Sequence, residues 1–120
     1  MFATQKSHEF RNKLIDYAIK VIRFTKKLPK TSENIIITNQ IIRSSTSIGA
    51  NYTEAMFALT KAEFIHSINI AKKETGETIH WLEMLLRLNP SSKELDLLLE
   101  ETESYLRIFI SSVKTSQKNK

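Results

Sequence analysis

Apolar residues recur at alternating intervals of three and four positions along most of this chain, a spacing that places them on one side of an α-helix. Four segments show this pattern, and they predict helices at about residues 7–28, 33–59, 61–88 and 92–114. In the second segment the apolar series extends to Leu59. The pattern therefore predicts four helices that each bury one side.

Residues that stop and start helices separate the four segments. Pro29 ends the first helix, because proline disfavours helical geometry in the residue before it. Thr60 with Glu63, and Ser91 with Glu94, have the spacing of a capping box, in which a hydroxyl and a carboxylate bind free backbone amides. Since the connections are short, consecutive helices run in opposite directions. We predict an all-α, antiparallel up-down-up-down four-helix bundle.

The composition agrees with an all-α fold. Only two glycines and two prolines leave little material for β-hairpins. The absence of cysteine excludes a disulfide framework and is compatible with a reducing cytoplasm. No apolar run is long enough for a signal peptide or a transmembrane helix. We expect a cytoplasmic protein with no membrane segment, formed by one domain at residues 1–120.

Small residues occupy the middle of the second helix, where large apolar side chains are expected. Residues 43–51 read RSSTSIGAN, which predicts an unusually close approach to a neighbouring element. Gly76 destabilises the third helix by about 1 kcal/mol relative to alanine, so we expect a close helix contact there as well. The serines are interpreted as packing residues, because no His or Lys lies at a spacing that would activate a nucleophile.

The first and last helices carry more apolar residues than one buried side needs. The additional positions are Ile15, Ile19, Ile22, Leu97, Leu99, Ile108 and Ile110. A monomer would expose part of this surface, which indicates a homo-oligomer. The alternative is a monomer whose core-facing stripe is unusually wide.

Positive charge is concentrated on the first helix. Its spacing predicts a basic strip of Lys13, Lys20, Arg23, Lys26, Lys27 and Lys30, extended by the tail lysines Lys114, Lys118 and Lys120. Repeated around an oligomer, such a strip would attract the phosphates of RNA or DNA without reading their sequence. The alternative is a solvated face, or one that packs against the acidic fourth helix of a neighbouring copy.

The second and third helices carry a recognisable motif. Residues 40–55 read QIIRSSTSIGANYTEA, residues 61–64 read KAEF and residues 70–82 read IAKKETGETIHWL. This pattern resembles the four-helix bundle protein family, also called the large-subunit rRNA intervening-sequence proteins. The resemblance covers most of the chain. It implies a homopentameric barrel that binds nucleic acid. A related protein, the accessory variability determinant of diversity-generating retroelements, works with a reverse transcriptase, which implies a nucleic-acid enzyme as a partner.

Polar residues on the closely packed helices must find partners. We expect an interface network of Arg43, Asn51, Glu54, Glu74 and Glu77. In the structural interpretation, Arg43 clamps a carboxylate across the helix pair or a subunit junction, and Asn51 fixes the helix register. In the functional interpretation, Arg43 contacts a phosphate.

Two Glu-x-x-His motifs raise the question of a metal site. Glu63 with His66 and Glu77 with His80 both lie on the third helix, 14 residues apart. That separation is roughly 21 Å along a helix, whereas di-iron bundles place this motif on two different helices. Some small helical ribonucleases use an Arg followed a few residues later by His, but no Arg in this sequence is followed by His at that spacing. We therefore expect no metal, no cofactor and no enzyme activity.

The leading hypothesis is a homo-oligomer, with a pentamer implied by the resemblance, that binds RNA or DNA through its basic surface. The alternative is a structural or protein-interaction module with no role in nucleic-acid binding.

Overall fold

A computed structural model describes residues 2–118 of the protein. Within them the chain forms four α-helices: α1 (Gln5–Thr25), α2 (Ser32–Met56), α3 (Lys61–Leu88) and α4 (Lys93–Lys118). The helices pack against one another, which confirms the predicted all-α, four-helix architecture. Lys120, one of the predicted tail cations, lies outside the described residues.

Side-chain caps determine where the helices begin. Thr4 precedes α1, where its hydroxyl accepts from the Ser7 amide and its own amide donates to the Ser7 hydroxyl at 2.7 Å. This capping box, which the sequence analysis missed, starts α1 before residue 7. Thr60 caps α3 as predicted. However, the Glu63 carboxylate accepts from the Leu59 amide rather than from the Thr60 amide.

Three other predicted helix ends and one predicted cap are wrong. α1 ends at Thr25 and not at 28, because the chain turns before Pro29. α2 ends at Met56, so Leu59, predicted on the buried side, is 83% exposed. The hydroxyl that caps α4 is that of Ser92 and not Ser91, and α4 continues to Lys118 beyond the predicted 114.

Contacts between neighbours show that α1 runs antiparallel to both α2 and α4. Phe10 packs edge-on against Tyr52 at the start of α1, and Arg11 donates to the Thr53 hydroxyl at 2.9 Å. The core is formed by the predicted side of each helix. Its fully buried large side chains include Leu14, Tyr17, Val21, Ile41, Ile48, Ile68, Leu82, Leu85, Leu95 and Phe109. The resulting bundle measures 48 × 21 × 21 Å.

The small residues of α2 lie at close contacts within the chain. A Cβ built on Gly49 would be 3.5 Å from the Leu14 Cβ of α1, which is ordinary packing distance. On the other side of α2, a hydrogen bond of 2.8 Å joins the buried hydroxyls of Ser44 on α2 and Thr78 on α3. The expectation for Gly76 is wrong, since a Cβ there would meet nothing within 4 Å.

Among residues 2–118, none of the helices combines the length and the apolar character needed to cross a bilayer.

Candidate nucleic-acid interface

The predicted basic strip lies along α1 and the connection that follows it. Lys13, Lys20 and Lys27 recur every seven residues, which places them on the edge of α1 that faces α4. Arg23 lies on α1 and lines a groove with Lys20 and Lys27, whereas Lys26 and Lys30 follow Thr25, the last residue of the helix. All six side chains are exposed. The strip is therefore an exposed basic surface on α1 and on the connection that follows it.

Acidic residues of α4 neutralise part of this strip within the same chain. The Lys20 ammonium lies 2.6 Å from a Glu101 carboxylate oxygen. The Lys27 ammonium donates to both oxygens of Glu94, at 2.7 and 2.9 Å. Within one chain, the structure pairs α1 with its own α4. The packing of α1 against α4 of a neighbouring copy stays a prediction.

The remaining cations of the strip have no acidic partner among the described residues. These cations are Lys13, Arg23, Lys26 and Lys30. Arg23 and Ile19 line a shallow groove of about 500 Å³, together with Asp16 and the Lys27–Glu94 pair. Arg23, Lys26 and Lys30 are close in sequence at and just after the end of α1, and each is exposed.

Buried polar groups hold α1 and α4 in this register. The Thr102 hydroxyl donates to the Leu98 carbonyl at 2.6 Å, so the Tyr17 hydroxyl donates its proton to Thr102. The Tyr105 hydroxyl donates to Glu101 at 2.5 Å, and its ring packs edge-on against Tyr17. Burial is the main cause that raises the pKa of both tyrosines above the ordinary 10.0. The Lys20–Glu101 pair is therefore anchored to the core.

Arg43 joins α2 to α3 on the opposite side of the bundle. One guanidinium nitrogen lies 3.5 Å from both carboxylate oxygens of Glu74, and the other donates to Glu77. The hydrogen bond to Glu77 raises the pKa of Arg43, and the charge of Glu74 acts in the same direction. The Arg43 side chain is 49% exposed, whereas that of Glu74 is 11% exposed. With two acidic partners, Arg43 is poorly suited to hold a phosphate.

The other two residues of the predicted polar network lie elsewhere on α2. The Asn51 amide donates to the Ser47 carbonyl of its own helix at 2.8 Å. Glu54 is exposed and lies three turns beyond Arg43. The network is therefore reduced to Arg43, Glu74 and Glu77.

Apolar surface remains uncovered on both outer helices. Ile19 is 42% exposed on α1 and Leu97 is 64% exposed on α4. Beside Ile19, Ile15 and Ile22 line a groove against the small residues Gly49 and Ala50 of α2. Of the additional apolar residues in the sequence, Leu99 is buried in the core, whereas the others are exposed or half-buried.

The two Glu-x-x-His motifs both lie on α3, and His66 and His80 are exposed. In the part of the chain that the structure describes, no three His, Asp or Glu side chains are grouped to hold a metal ion.

The acidic character of α4 was recognised in the sequence, but the pairing of its residues with the strip of the same chain was not. Glu94 and Glu101 are seven residues apart, as are Lys20 and Lys27. Two helices that run antiparallel with matching intervals of opposite charge can form such pairs along their whole contact. This matched spacing was visible in the sequence.

Comparison with known proteins agrees with this architecture. The sequence profile described as 23S rRNA-intervening sequence protein matches residues 6–111. A crystal structure from Bacteroides thetaiotaomicron VPI-5482, described as a protein with unknown function from the S23 ribosomal protein family, is similar at a TM-score of 0.80. The two chains are 33% identical, and the match covers 92% of this chain and 99% of the other. None of the curated proteins matches the chain. The chain belongs to the 23S rRNA-intervening sequence protein family.

Proposed function

We propose that this protein is a non-enzymatic, cytoplasmic homo-oligomer that binds RNA or DNA through the basic end of α1. The observation that carries the proposal is the cluster of Arg23, Lys26 and Lys30, which are exposed and have no acidic partner among residues 2–118. A cluster of this kind attracts phosphates and releases the counterions bound to them. Binding of this type does not read base sequence.

Oligomerisation would multiply the effect of this small cluster. The exposed apolar residues of α1 and α4, such as Ile19 and Leu97, provide surface for contacts between copies. A homopentameric barrel is the assembly that the resemblance implies, and it would present five copies of the basic end. The name of the family supports RNA as the first nucleic acid to test. A nucleic-acid enzyme such as a reverse transcriptase is the proposed protein partner.

A second candidate function is a protein-interaction module without a role in nucleic-acid binding. The ion pairs of Lys20 with Glu101 and of Lys27 with Glu94 favour it, because they remove two cations from the strip. In that case the apolar faces would be the functional surface.

A titration with double-stranded RNA at two salt concentrations tests the first proposal. We expect the affinity to fall steeply as salt rises. For a B-DNA duplex, the logarithm of the binding constant falls against the logarithm of the salt concentration with a slope of about −0.9 per phosphate neutralised, and we expect a slope of similar order for double-stranded RNA. Replacing Arg23, Lys26 and Lys30 by Glu should abolish binding. The control variant replaces Lys73, Arg87 and Lys93 by Glu, which changes the net charge equally at three other exposed positions.

The control variant should retain most of the affinity. Equal losses in the two variants would mean that only the net charge matters. No binding by the wild-type protein at low salt would exclude the proposal and favour the protein-interaction module.

A further inference from the structure

The opposite end of the bundle carries one exposed phenylalanine ring, Phe57, and a half-buried pair of stacked rings, Phe2 and Phe64. Phe57 follows α2 and is 61% exposed, and its only recorded ring contact among the described residues is the His8 ring, at 6.4 Å and edge-on. At the same end, Phe2 stacks on Phe64 with ring centroids 4.3 Å apart. We call these two ring pairs, His8–Phe57 and Phe2–Phe64, the aromatic end.

One lysine lines a pocket at the aromatic end, and two more lie on the last turns of α4 at the same end of the bundle. Lys6 and Ser112 line a pocket of about 410 Å³ that is also lined by Phe2 and Phe64. Lys114 and Lys118 follow Ser112 on the last turns of α4, and both are exposed. The Phe2–Phe64 pair therefore lies next to positive charge, and the exposed Phe57 ring lies at the same end of the bundle.

The aromatic end also exposes the aliphatic side chains of Leu59, Ile108 and Ile110, but the exposed apolar residues at the other end of the bundle differ because they include no exposed ring. There they are aliphatic side chains, represented by Ile36, Met84, Leu88 and Leu97. Aliphatic surface suits contacts with protein. Aromatic rings beside lysines suit unpaired nucleobases, because every base can stack on a ring while its phosphate is held by a cation.

We propose that the aromatic end stacks unpaired bases of a single-stranded nucleic acid. This inference rests on the proposed function and refines it, since the basic end of α1 contacts only phosphates and accepts a duplex equally well. A single strand can contact both places, whereas the bases of a duplex are already stacked and paired. The protein therefore prefers a single strand to a duplex of equal length.

Substitution of Phe57 tests the inference with a short labelled oligouridylate and an RNA duplex of equal length as probes. Phe57→Ala should weaken oligouridylate binding about ten-fold, since one lost stacking contact has this order of magnitude. It should leave duplex binding unchanged. Phe57→Trp should restore the affinity, because indole is also a flat aromatic ring.

Leu59→Ala is the matched control. Leu59 is even more exposed than Phe57 and lies two residues away, but it has no ring. We expect Leu59→Ala to bind both probes as the wild-type protein does. Because both side chains project into solvent, neither substitution should affect folding, which circular dichroism can verify.

Three outcomes would overturn the inference. Unchanged oligouridylate binding in Phe57→Ala would show that the ring is not used. Equal losses in Phe57→Ala and Leu59→Ala, or a change in the oligomeric mass of both, would show that this end contacts protein. Equal losses for oligouridylate and duplex in Phe57→Ala would show that stacking is not involved. If the wild-type protein binds neither probe, the proposed function itself fails.

Discussion

Tyr17 lies fully buried between α1 and α4, and its hydroxyl donates to Thr102. Thr102 is in turn bonded to the Leu98 carbonyl. Among the described residues, every buried side-chain nitrogen or oxygen has a hydrogen-bond partner. Such satisfied polar groups fix the register of a core without leaving a desolvated donor or acceptor.

The tyrosines predict how stability depends on pH. Burial raises the pKa of Tyr17, Tyr52 and Tyr105 above the ordinary 10.0 in the folded chain. Above pH 10 the unfolded chain therefore loses these protons first, and the free energy of unfolding falls as the pH rises. Urea unfolding on both sides of pH 10 should show this loss.

Absorbance at alkaline pH gives an independent check. Tyrosinate absorption should stay low in the folded protein and should increase only on unfolding. Tyr17→Phe should cost about 1 kcal/mol at neutral pH, because one hydrogen bond is lost while Thr102 keeps its bond to Leu98. The same variant should also reduce the alkaline loss of stability. Ordinary titration of all three tyrosines in the folded protein would contradict this account.

Two glycines show what can be predicted for a single residue. Both Gly49 and Gly76 lie in helices, and the sequence suggested close packing at each. Only Gly49 faces a neighbouring helix, where Leu14 lies opposite. The spacing of residues gives the side of the helix on which a residue lies, but the crossing point of two helices depends on the three-dimensional packing of both.

At the scale of the element, α1 and α4 form a pair with opposite charge. The contacts of Lys20 with Glu101 and of Lys27 with Glu94 are partly exposed, so each contributes at most about 1 kcal/mol to stability. In the proposed function, their larger effect is on the binding of nucleic acid. A phosphate that approaches either lysine has to compete with a carboxylate that is already bound.

Removal of the two carboxylates should therefore tighten nucleic-acid binding. We expect Glu94→Gln with Glu101→Gln to raise affinity for RNA about two- to ten-fold, since each released cation is worth up to about 1 kcal/mol. Titration at fixed salt measures this effect. Glu100→Gln with Glu103→Gln makes the same change in net charge at exposed positions outside the ion pairs that the structure describes.

Affinity in the control pair should increase less than in the Glu94 and Glu101 variant. Equal increases would mean that the ion pairs do not compete with phosphates.

The helices themselves could be predicted well from the sequence, because the spacing of apolar residues directly reports which side is buried. The predicted ends of the helices were less accurate. Leu59 continues the apolar series in the sequence, yet α2 ends at Met56 and leaves Leu59 in solvent. At the start of α4, two consecutive serines could each supply the cap, and the local sequence does not distinguish Ser91 from Ser92.

At the scale of the whole molecule, the bundle is a rod with apolar surface along its outer helices. Ile15 and Ile19 on α1 are partly exposed, and they lie beside the small side chains of α2 that shape a groove. Because each isoleucine is already more than half buried, covering the rest of its surface on assembly would contribute about 0.6–1.2 kcal/mol. The number of copies could not be predicted from helix patterns, because it depends on the angle between neighbouring subunits.

We expect Ile19→Glu to break the assembly into monomers of about the chain mass of 13.9 kDa. The charge would have to be buried against an apolar surface, which is far less favourable than leaving it in water. Light scattering measures the mass, and circular dichroism should report unchanged helix content. Asn12→Glu places the same charge on another exposed position of α1 and should leave the assembly intact. A wild-type protein that is already monomeric at high concentration would contradict the oligomer.

Because the four helices alternate in direction, residues 2 and 118 lie at the same end of the rod as Phe57. An affinity tag fused to either terminus would therefore extend from beside the rings and the lysines. A charged tag could occupy that surface or repel an incoming strand. Purification with a cleavable tag, removed before any titration, follows directly from this geometry.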